Sequence, residues 1–312
     1  MKPLFSIIIP LYNKEAFIEN TLKNVFEQTF TDFEIIIVND GSTDNSLARL
    51  EKYKDDRLKL IDQKNQGAAA ARNTGISNAK SNLIVFLDAD DIWMPNHLEE
   101  LKRLYEDFPD CGMFCSRYKT KISKNRLVDN SFYNSISDDF RGVVPDFFEA
   151  SLVNRVAFTS AVMIPKRILK IIGGFDANIS SGQDLDLWIR IAVHHKVAIS
   201  KETTVIYRFE IPKSLSKTSI LQKKIIDFKK FATPEISNKS LKRFLDIYRL
   251  EYAIRYKIAG NKEKSAYFIK EISSNIPLKS KLLLTLPPSF LRLLLQIKHF
   301  LKKQGIDFTI YH

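Results

Sequence analysis

The chain has 312 residues, 45% of them hydrophobic and 27% charged, which suits one large α/β domain with an appendage, or two modest domains, and leaves ample material for a core. Its net charge of +12 is unevenly placed: residues 1–212 hold 27 Lys/Arg against 29 Asp/Glu, net −2, and residues 213–312 hold 21 against 7, net +14. That asymmetry argues against a nucleic-acid binder acting through its whole surface, and no run offers the ~20 uninterrupted apolar residues of a membrane span.

One Lys precedes the first apolar run, which is too short for a secretory h-region. The expected location is therefore the cytoplasm, or the inner face of the cytoplasmic membrane. Cys111 and Cys115 have no His or Cys at zinc-like spacing around them and are expected to be buried small hydrophobes.

Residues 4–11 (LFSIIIPL) form an apolar run closed by Tyr12-Asn13, the pattern of a buried parallel strand ending in a loop. Residues 15–28 carry apolar side chains at helical spacing. Residues 33–38 (FEIIIV) predict a second buried strand, stopped at Asn39-Asp40-Gly41-Ser42. Capping residues at 43–46 predict a helix over 46–54, and 58–62 a third strand. Residues 68–79 are Ala-rich and helical, with a break expected at Thr74-Gly75. A fourth strand, 83–87 (LIVFL), runs into Asp88-Ala89-Asp90-Asp91. Strands alternating with helices predict a parallel, doubly wound sheet, and ligands of such sheets bind beyond the carboxyl ends of the strands. Three of those ends carry Tyr12, Asp40 and the Asp88–Asp91 group.

Residues 100–212 alternate less cleanly and read as the second half of the same domain, with strands over 111–118 and 161–164 and helices over 143–153 and 185–194. Residues 220–231 and 241–259 have helical spacing.

Three carboxylates within four residues after a buried strand repel one another unless a cation or hydrogen-bond donors compensate. Asp88, Asp90 and Asp91 are thus either a site for a divalent ion shared with substrate phosphates or a solvated turn capping the next helix. Asp40 can accept from a pyrimidine N–H or a ribose hydroxyl, or can simply belong to an Asp-Gly turn. Tyr12 can stack on a base or be a half-buried tyrosine. Arg72, in a small-residue helix, can reach a diphosphate or lie on the surface. Asp184, at the start of the 185–194 helix, can take a proton from a hydroxyl or answer the helix dipole. Asp186 and Arg190 form an i,i+4 pair of structural type.

Taken together and in order, SIIIPLYNKEAFIENTLKNVFEQTFTDFEIIIVNDGSTDNS, NQGAAAARNTGI, LIVFLDADDIWMP and GQDLDLWIR resemble glycosyltransferase family 2, enzymes of the GT-A fold. The resemblance covers roughly residues 1–210. It implies an α/β domain over 1–212, with a mostly parallel Rossmann-like sheet flanked by helices. Residues 1–99 would form the nucleotide-sugar half, 100–212 the acceptor half, and 213–312 a basic helical C-terminal region. The backbone at Pro10, with Tyr12 and Asp40, would hold the nucleobase, usually uracil, and Arg72 would contact the nucleotide. In the DxD motif, Asp88 would touch ribose and Asp90 a divalent metal, Mn2+ or Mg2+, with Asp91 assisting. Asp184 would be the general base of an inverting transfer to a glycan or lipid-linked acceptor, and Gly173-Gly174-Phe175-Asp176 would lead into the acceptor site. The setting implied is cell-surface polysaccharide assembly. The alternative is a nucleotide-sugar-binding or scaffold protein that has lost catalysis.

The sequence departs from the family at Tyr207-Arg208-Phe209-Glu210, where Glu210 replaces a usual His, and continues as Lys213-Ser214-Leu215-Ser216 instead of a plainly Ser-rich loop. Gln183 stands where a Glu is common, and Asn39 where an acid is often found. In the tail, residues 289–303 (SFLRLLLQIKHFLKK) place Phe290, Leu293, Leu294, Ile297, Phe300 and Leu301 on one face at about 100° per residue. Such a basic amphipathic helix can lie in an anionic membrane interface, giving an expected peripheral contact through 281–303, or can pack on protein. No nucleic-acid module is present.

Overall fold

A computed structural model describes residues 2–133, 136–211, 219–273 and 278–304. The first half follows the predicted alternation: β1 (Phe5–Leu11), α1 (Ile18–Phe26), β2 (Phe33–Asp40), β3 (Leu58–Gln63), α2 (Ala68–Asn78) and β4 (Leu83–Phe86). β5 (Ile92–Trp93), α3 (His97–Asp107), β6 (Met113–Ser123), β7 (Arg126–Asp129), β8 (Gly142–Val143), α4 (Phe147–Ala150), β9 (Val162–Pro165), α5 (Lys166–Ile172), α6 (Gln183–His194) and β10 (Val197–Arg208) make up the second. The C-terminal region holds α7 (Ala232–Ser237), α8 (Lys239–Ile258), α9 (Lys262–Lys270), α10 (Leu278–Thr285) and α11 (Pro288–Gln304).

One mixed sheet runs β3-β2-β1-β4-β9-β6-β10-β5, with β7 on β6 and β8 on β10. The pairings β1–β2, β2–β3 and β1–β4 are parallel. That explains the unbroken apolar runs: with both faces covered, every residue of β2 is buried. Beyond β4 the expected parallel order holds only for β6–β10; β9 enters antiparallel to both β4 and β6. β9 follows the 3-10 turn Thr159–Ala161 without an intervening crossover helix, so nothing returns the chain to the parallel direction.

Several expected elements differ. Residues 46–52 form turns instead of a helix, because the capping side chains serve the loop after β1: Asp44 accepts from Glu15 N and Ser46 Oγ from Lys14 N. α2 runs through Gly75 unbroken, since a Cβ there would lie 2.4 Å from Ile8 Cγ2 on β1. The glycine lets the helix approach the strand. The 143–153 helix shrinks to α4, with Val143 paired to Ala198 in the sheet. Residues 220–231 form two 3-10 turns, Ile220–Gln222 and Phe228–Phe231, where Ser219 and Asp227 accept from nearby backbone N–H groups and compete with the helix. Residues 213–216 lie outside the described residues, as does the 212/213 boundary. Both cysteines are free and buried.

The β5–α3 corner is held by a buried histidine. His97 Nδ1 lies 2.7 Å from Thr204 Oγ1 of β10, its ring 4.3 Å from that of Trp93, and its Nε2 has no partner. Burial pushes its pKa down to about 3, so it is neutral in the fold and charges more readily when unfolded. The stability it contributes is complete above the unfolded pKa near 6.5 and is lost as pH falls toward 3. Urea melts from pH 7 to pH 4 should show His97→Gln with an acid-side slope shallower by about 1.4 kcal/mol per pH unit; parallel curves would show that His97 is not the titrating group.

Candidate active site

β1 continues past its last pairing with β4, at Ile8 and Phe86, so Pro10 and Tyr12 lie at the carboxyl end of β1, beyond the end of β4. Tyr12 is 46% exposed. The next residue, Asn13, has φ 51°. Its Oδ1 accepts from Thr43 N at 2.8 Å, tying the β1 loop to the β2 loop.

Asp40 ends β2 and is buried. Its Oδ1 accepts from Gln63 Nε2 (2.7 Å) and Gln66 N (2.9 Å), and its Oδ2 from Gly67 N (2.8 Å). The carboxylate therefore shapes the turn into α2, where Gly67 takes φ +89°, a conformation open to glycine at little cost. One turn into α2 stands Arg72, 4% exposed. Its Nη2 donates to Asp88 Oδ1 at 2.5 Å and its guanidinium lies 5.2 Å from the Phe175 ring centroid. Its Nε and Nη1 are buried without a partner.

The three acids after β4 are each answered differently. Asp88, beside Arg72, has its N–H on Ser160 Oγ. Asp90 accepts from Lys14 Nζ at 2.5 Å. Burial raises its carboxyl above the ordinary value; the Lys14 ammonium opposes that and the Asp88 carboxylate adds to it. Asp91, expected to assist a metal, is turned inward: Oδ2 accepts from Ser160 Oγ (2.6 Å) and Oδ1 from Arg208 N (3.2 Å). Burial, then the charges of Asp90 and Asp88, push its carboxyl well up. Asp91 thus ties the acidic turn to β10 and is not open to a ligand.

Asp184 lies in the first turn of α6, behind Gly182 at φ 89°. Arg155 Nη1 donates to its Oδ2 at 3.1 Å, and Arg155 Nε donates to Tyr248 Oη of α8 at 2.9 Å. Asp186 is buried, with Arg190 Nε at 2.9 Å and Lys230 as a further partner. Arg190 also donates to the carbonyls of Ile172, Gly173 and Gly174. Asn73, next to Arg72, clamps the same segment through both backbone groups of Phe175, and a Cβ on Gly174 would meet Asn73 Oδ1 at 2.4 Å. Phe175 packs edge-on against Phe86 and Trp188, so one aromatic joins α2, β4 and α6.

Arg72 and Asp88 are in direct contact, Asp91 joins them through Ser160, and Asp90 reaches the β1 loop through Lys14. Asp184 pairs instead with Arg155, which precedes Ser160 by five positions in the chain. Sequence reasoning did not single out Lys14, Arg155, Ser160 or Tyr248. Arg155, beside the apolar stretch VAFTSAVMI, could have signalled a buried cation in need of an acid; Tyr248 carried no such mark.

Among the described residues no group of three or more His, Cys, Asp or Glu suits a metal. The donor set does fit a hard cation that uses one or two protein oxygens and substrate phosphates: Asp90 is held at a cation, and Glu210 Oε2 is buried without a partner. Glu210 Oε1 accepts from Arg208 Nε at 3.0 Å. Arg208 lies over the Phe17 ring, which Lys14 also approaches, so the cations paired with Glu210 and Asp90 share one aromatic neighbour.

A sheet with acids gathered at the carboxyl ends of its parallel strands marks an α/β fold of the nucleotide-binding kind. The chain belongs to glycosyl transferase family 2, a family of sugar-transferring enzymes, whose sequence model matches residues 6–162. It is 33% identical over 208 residues to an uncharacterized glycosyltransferase of Rickettsia conorii, covering 63% of this chain and 32% of the relative. It is 42% identical over 157 residues to the uncharacterized glycosyltransferase EpsJ of Bacillus subtilis, covering 49% of this chain and 40% of the relative. The chain therefore spans well under half the length of these relatives. Among solved structures, TarS of S. aureus superposes with TM-score 0.62 at 19% identity, covering 97% of this chain and 54% of TarS. A TarS fragment in complex with UDP-GlcNAc gives TM-score 0.58 at 20% identity, covering 87% of this chain and 72% of the fragment. At that identity the likeness establishes the shared GT-A fold.

Ser160 supports the acidic turn at both Asp88 and Asp91. Ser160→Ala would leave Asp91 Oδ2 and Asp88 N without their partner, and should cost roughly 1–3 kcal/mol in urea unfolding. An unchanged midpoint would mean that the turn is held elsewhere.

Proposed function

We propose that the protein transfers a sugar from a UDP-sugar to a hydroxyl of a glycan or lipid-linked acceptor, with inversion at the anomeric carbon. The observation that carries this is Arg72: a buried guanidinium, one Nη on Asp88 and two donor nitrogens unpartnered, near the strand ends where α/β sheets bind ligands. Unpaired donors in a buried guanidinium call for an anionic acceptor such as a diphosphate. The UDP-GlcNAc complex of TarS, a protein of the same fold, supports a uridine nucleotide.

In this reading the Tyr12 ring and the Pro10 backbone face the base. Asp40 shapes the base pocket by ordering Gln66 and Gly67, and Asp88 and Arg72 meet the ribose and diphosphate. Asp90 and the buried, unpartnered Glu210 Oε2 would hold a divalent cation, Mn2+ or Mg2+, with Lys14 giving way; Asp91 ties the acidic turn to β10. When bound, the cation would neutralise charge on the leaving diphosphate. Asp184 takes the proton of the acceptor hydroxyl, whose oxygen forms the new bond to the anomeric carbon as the bond to the diphosphate oxygen breaks. No nucleophile of the protein is needed. Arg155 orients Asp184 before the acceptor arrives and is itself oriented by Tyr248.

The tail supports a peripheral contact with an anionic membrane surface, the place of a lipid-linked acceptor. α11 docks on α8 through buried Leu291 and through Arg292, which donates to the Ile258 carbonyl. Phe290, Leu293, Ile297 and Phe300 remain exposed in a region of net charge +14. An apolar stripe on a basic helix matches an interface-lying helix. No helix among the described residues is long and apolar enough to cross a membrane.

Asp184→Asn should lower turnover by roughly 10²–10⁴-fold while UDP affinity, read by calorimetry, stays unchanged; full turnover would remove Asp184 from the role. Asp90→Asn should abolish the gain in UDP affinity that Mn2+ gives the native chain, and an undiminished gain would place the cation elsewhere. In flotation with anionic vesicles the native chain should rise with the lipid and the triple variant Phe290→Glu, Leu293→Glu, Ile297→Glu should not. Equal flotation would exclude α11 as the contact.

A further inference from the structure

A cavity of about 390 Å³ lies outside the catalytic cleft, between the 225–229 segment, α8 and α9. Its volume falls within the range of small-molecule sites, about 300–1,000 Å³. Its walls are aromatic: Tyr256 and Phe268 stack with centroids 5.8 Å apart and planes 6° apart, Tyr267 stands edge-on to Phe268, and Phe228 meets Phe268 from the other side. Two lining residues carry buried donors without partners, Arg249 Nε and Tyr256 Oη. Arg249 is 5% exposed and Tyr256 1%. An unsatisfied buried donor costs roughly 1–3 kcal/mol, and Arg249 Nε is left over after Glu235 and Asp246 have anchored the guanidinium.

The charges discriminate between ligand classes. The Arg249 cation is answered by those two carboxylates. The remaining lining charges are Lys229 and Lys264, over the rings of Tyr267 and Tyr256, against Asp227, Glu263 and Glu271. Carboxylates outnumber amines, so a polyphosphate or other anion meets net repulsion. A neutral polyhydroxylated ring does not. Its C–H faces suit flat aromatic walls, and its hydroxyls accept from Nε–H, Oη–H and ammonium groups while donating to carboxylates.

We propose that this cavity is a saccharide-binding subsite, separate from the catalytic cleft, that grips a neutral sugar unit of the acceptor chain. The identification of that sugar as acceptor rests on the transfer reading above; the binding itself does not. Contacts also lead from the cavity wall toward Asp184. Arg249 follows Tyr248, the partner of Arg155, on α8, and Phe228 stacks on Tyr252, whose Oη lies against Gly182 at the start of α6.

Saturation-transfer NMR on the full chain, with cellobiose, lactose and N,N′-diacetylchitobiose as probes, tests the proposal. At least one disaccharide should bind, with affinity weakened roughly fivefold or more by Tyr256→Phe, which removes one oxygen, and by Tyr267→Ala, at a ring 42% exposed. Asp184→Asn should leave that binding unchanged. The proposal is overturned by absence of binding to all three probes, by loss of binding in Asp184→Asn but not in the cavity variants, or by displacement with inorganic phosphate. Failure of the transfer reading looks different: Asp184→Asn would keep full turnover while the cavity variants still lost the disaccharide.

Discussion

The constraint from which the site follows is electrostatic: three carboxylates crowd the end of β4, a strand with no exposed residue. Each needs a counter-charge or donor, and each takes it from a different part of the chain. Arg72 comes from α2, Lys14 from the loop after β1, and the Ser160 hydroxyl and Arg208 N–H from around β9 and β10. Satisfying the acids therefore draws four separate segments of the chain to the end of β4. The same crowding leaves Asp90 paired with a lysine and Arg72 with donors to spare.

A second chain of contacts runs from the C-terminal region into the cleft. Tyr248 on α8 holds Arg155, Arg155 holds Asp184, and Lys230 pairs with Asp186 two residues further along α6. The basic region is thus more than an appendage to a finished catalytic domain. It sets the orientation of the residue proposed to take the proton, and a lone GT-A domain would leave Arg155 without its Tyr248 partner. Phe148 of α4 against Phe244 of α8 adds an apolar seam.

Much of this was legible in the sequence for physical reasons. Buried parallel strands need long apolar runs, and 4–11, 33–38 and 83–87 are such runs, so β1, β2 and β4 were readable to within a few residues. Asp40, Arg72 and Asp88 stood out because polar groups at strand ends are where binding chemistry collects. What stayed hidden depends on partners distant in sequence. Nothing local says that Asp91 faces Ser160, 69 positions on, or that Asp44 and Ser46 brace the β1 loop in place of capping a helix. Gly75 read as a helix breaker because its reason, Ile8 on the neighbouring strand, lies 67 positions away.

Those long-range ties also suggest how the two ends of the reaction are kept in register. Asn73 fixes Phe175 from α2 while Arg190 fixes Gly173 and Gly174 from α6. Phe175 in turn lies under the Arg72 guanidinium. A shift of Arg72 toward a diphosphate would be felt at Phe175, hence at the segment leading to Asp184, because close-packed side chains transmit displacement. Asn73 and Arg72 are neighbours on one helix, so a single rigid element carries both the proposed nucleotide contact and the clamp. Separating them by an extra residue would rotate one by about 100° and break that coupling, whatever became of the carboxylates.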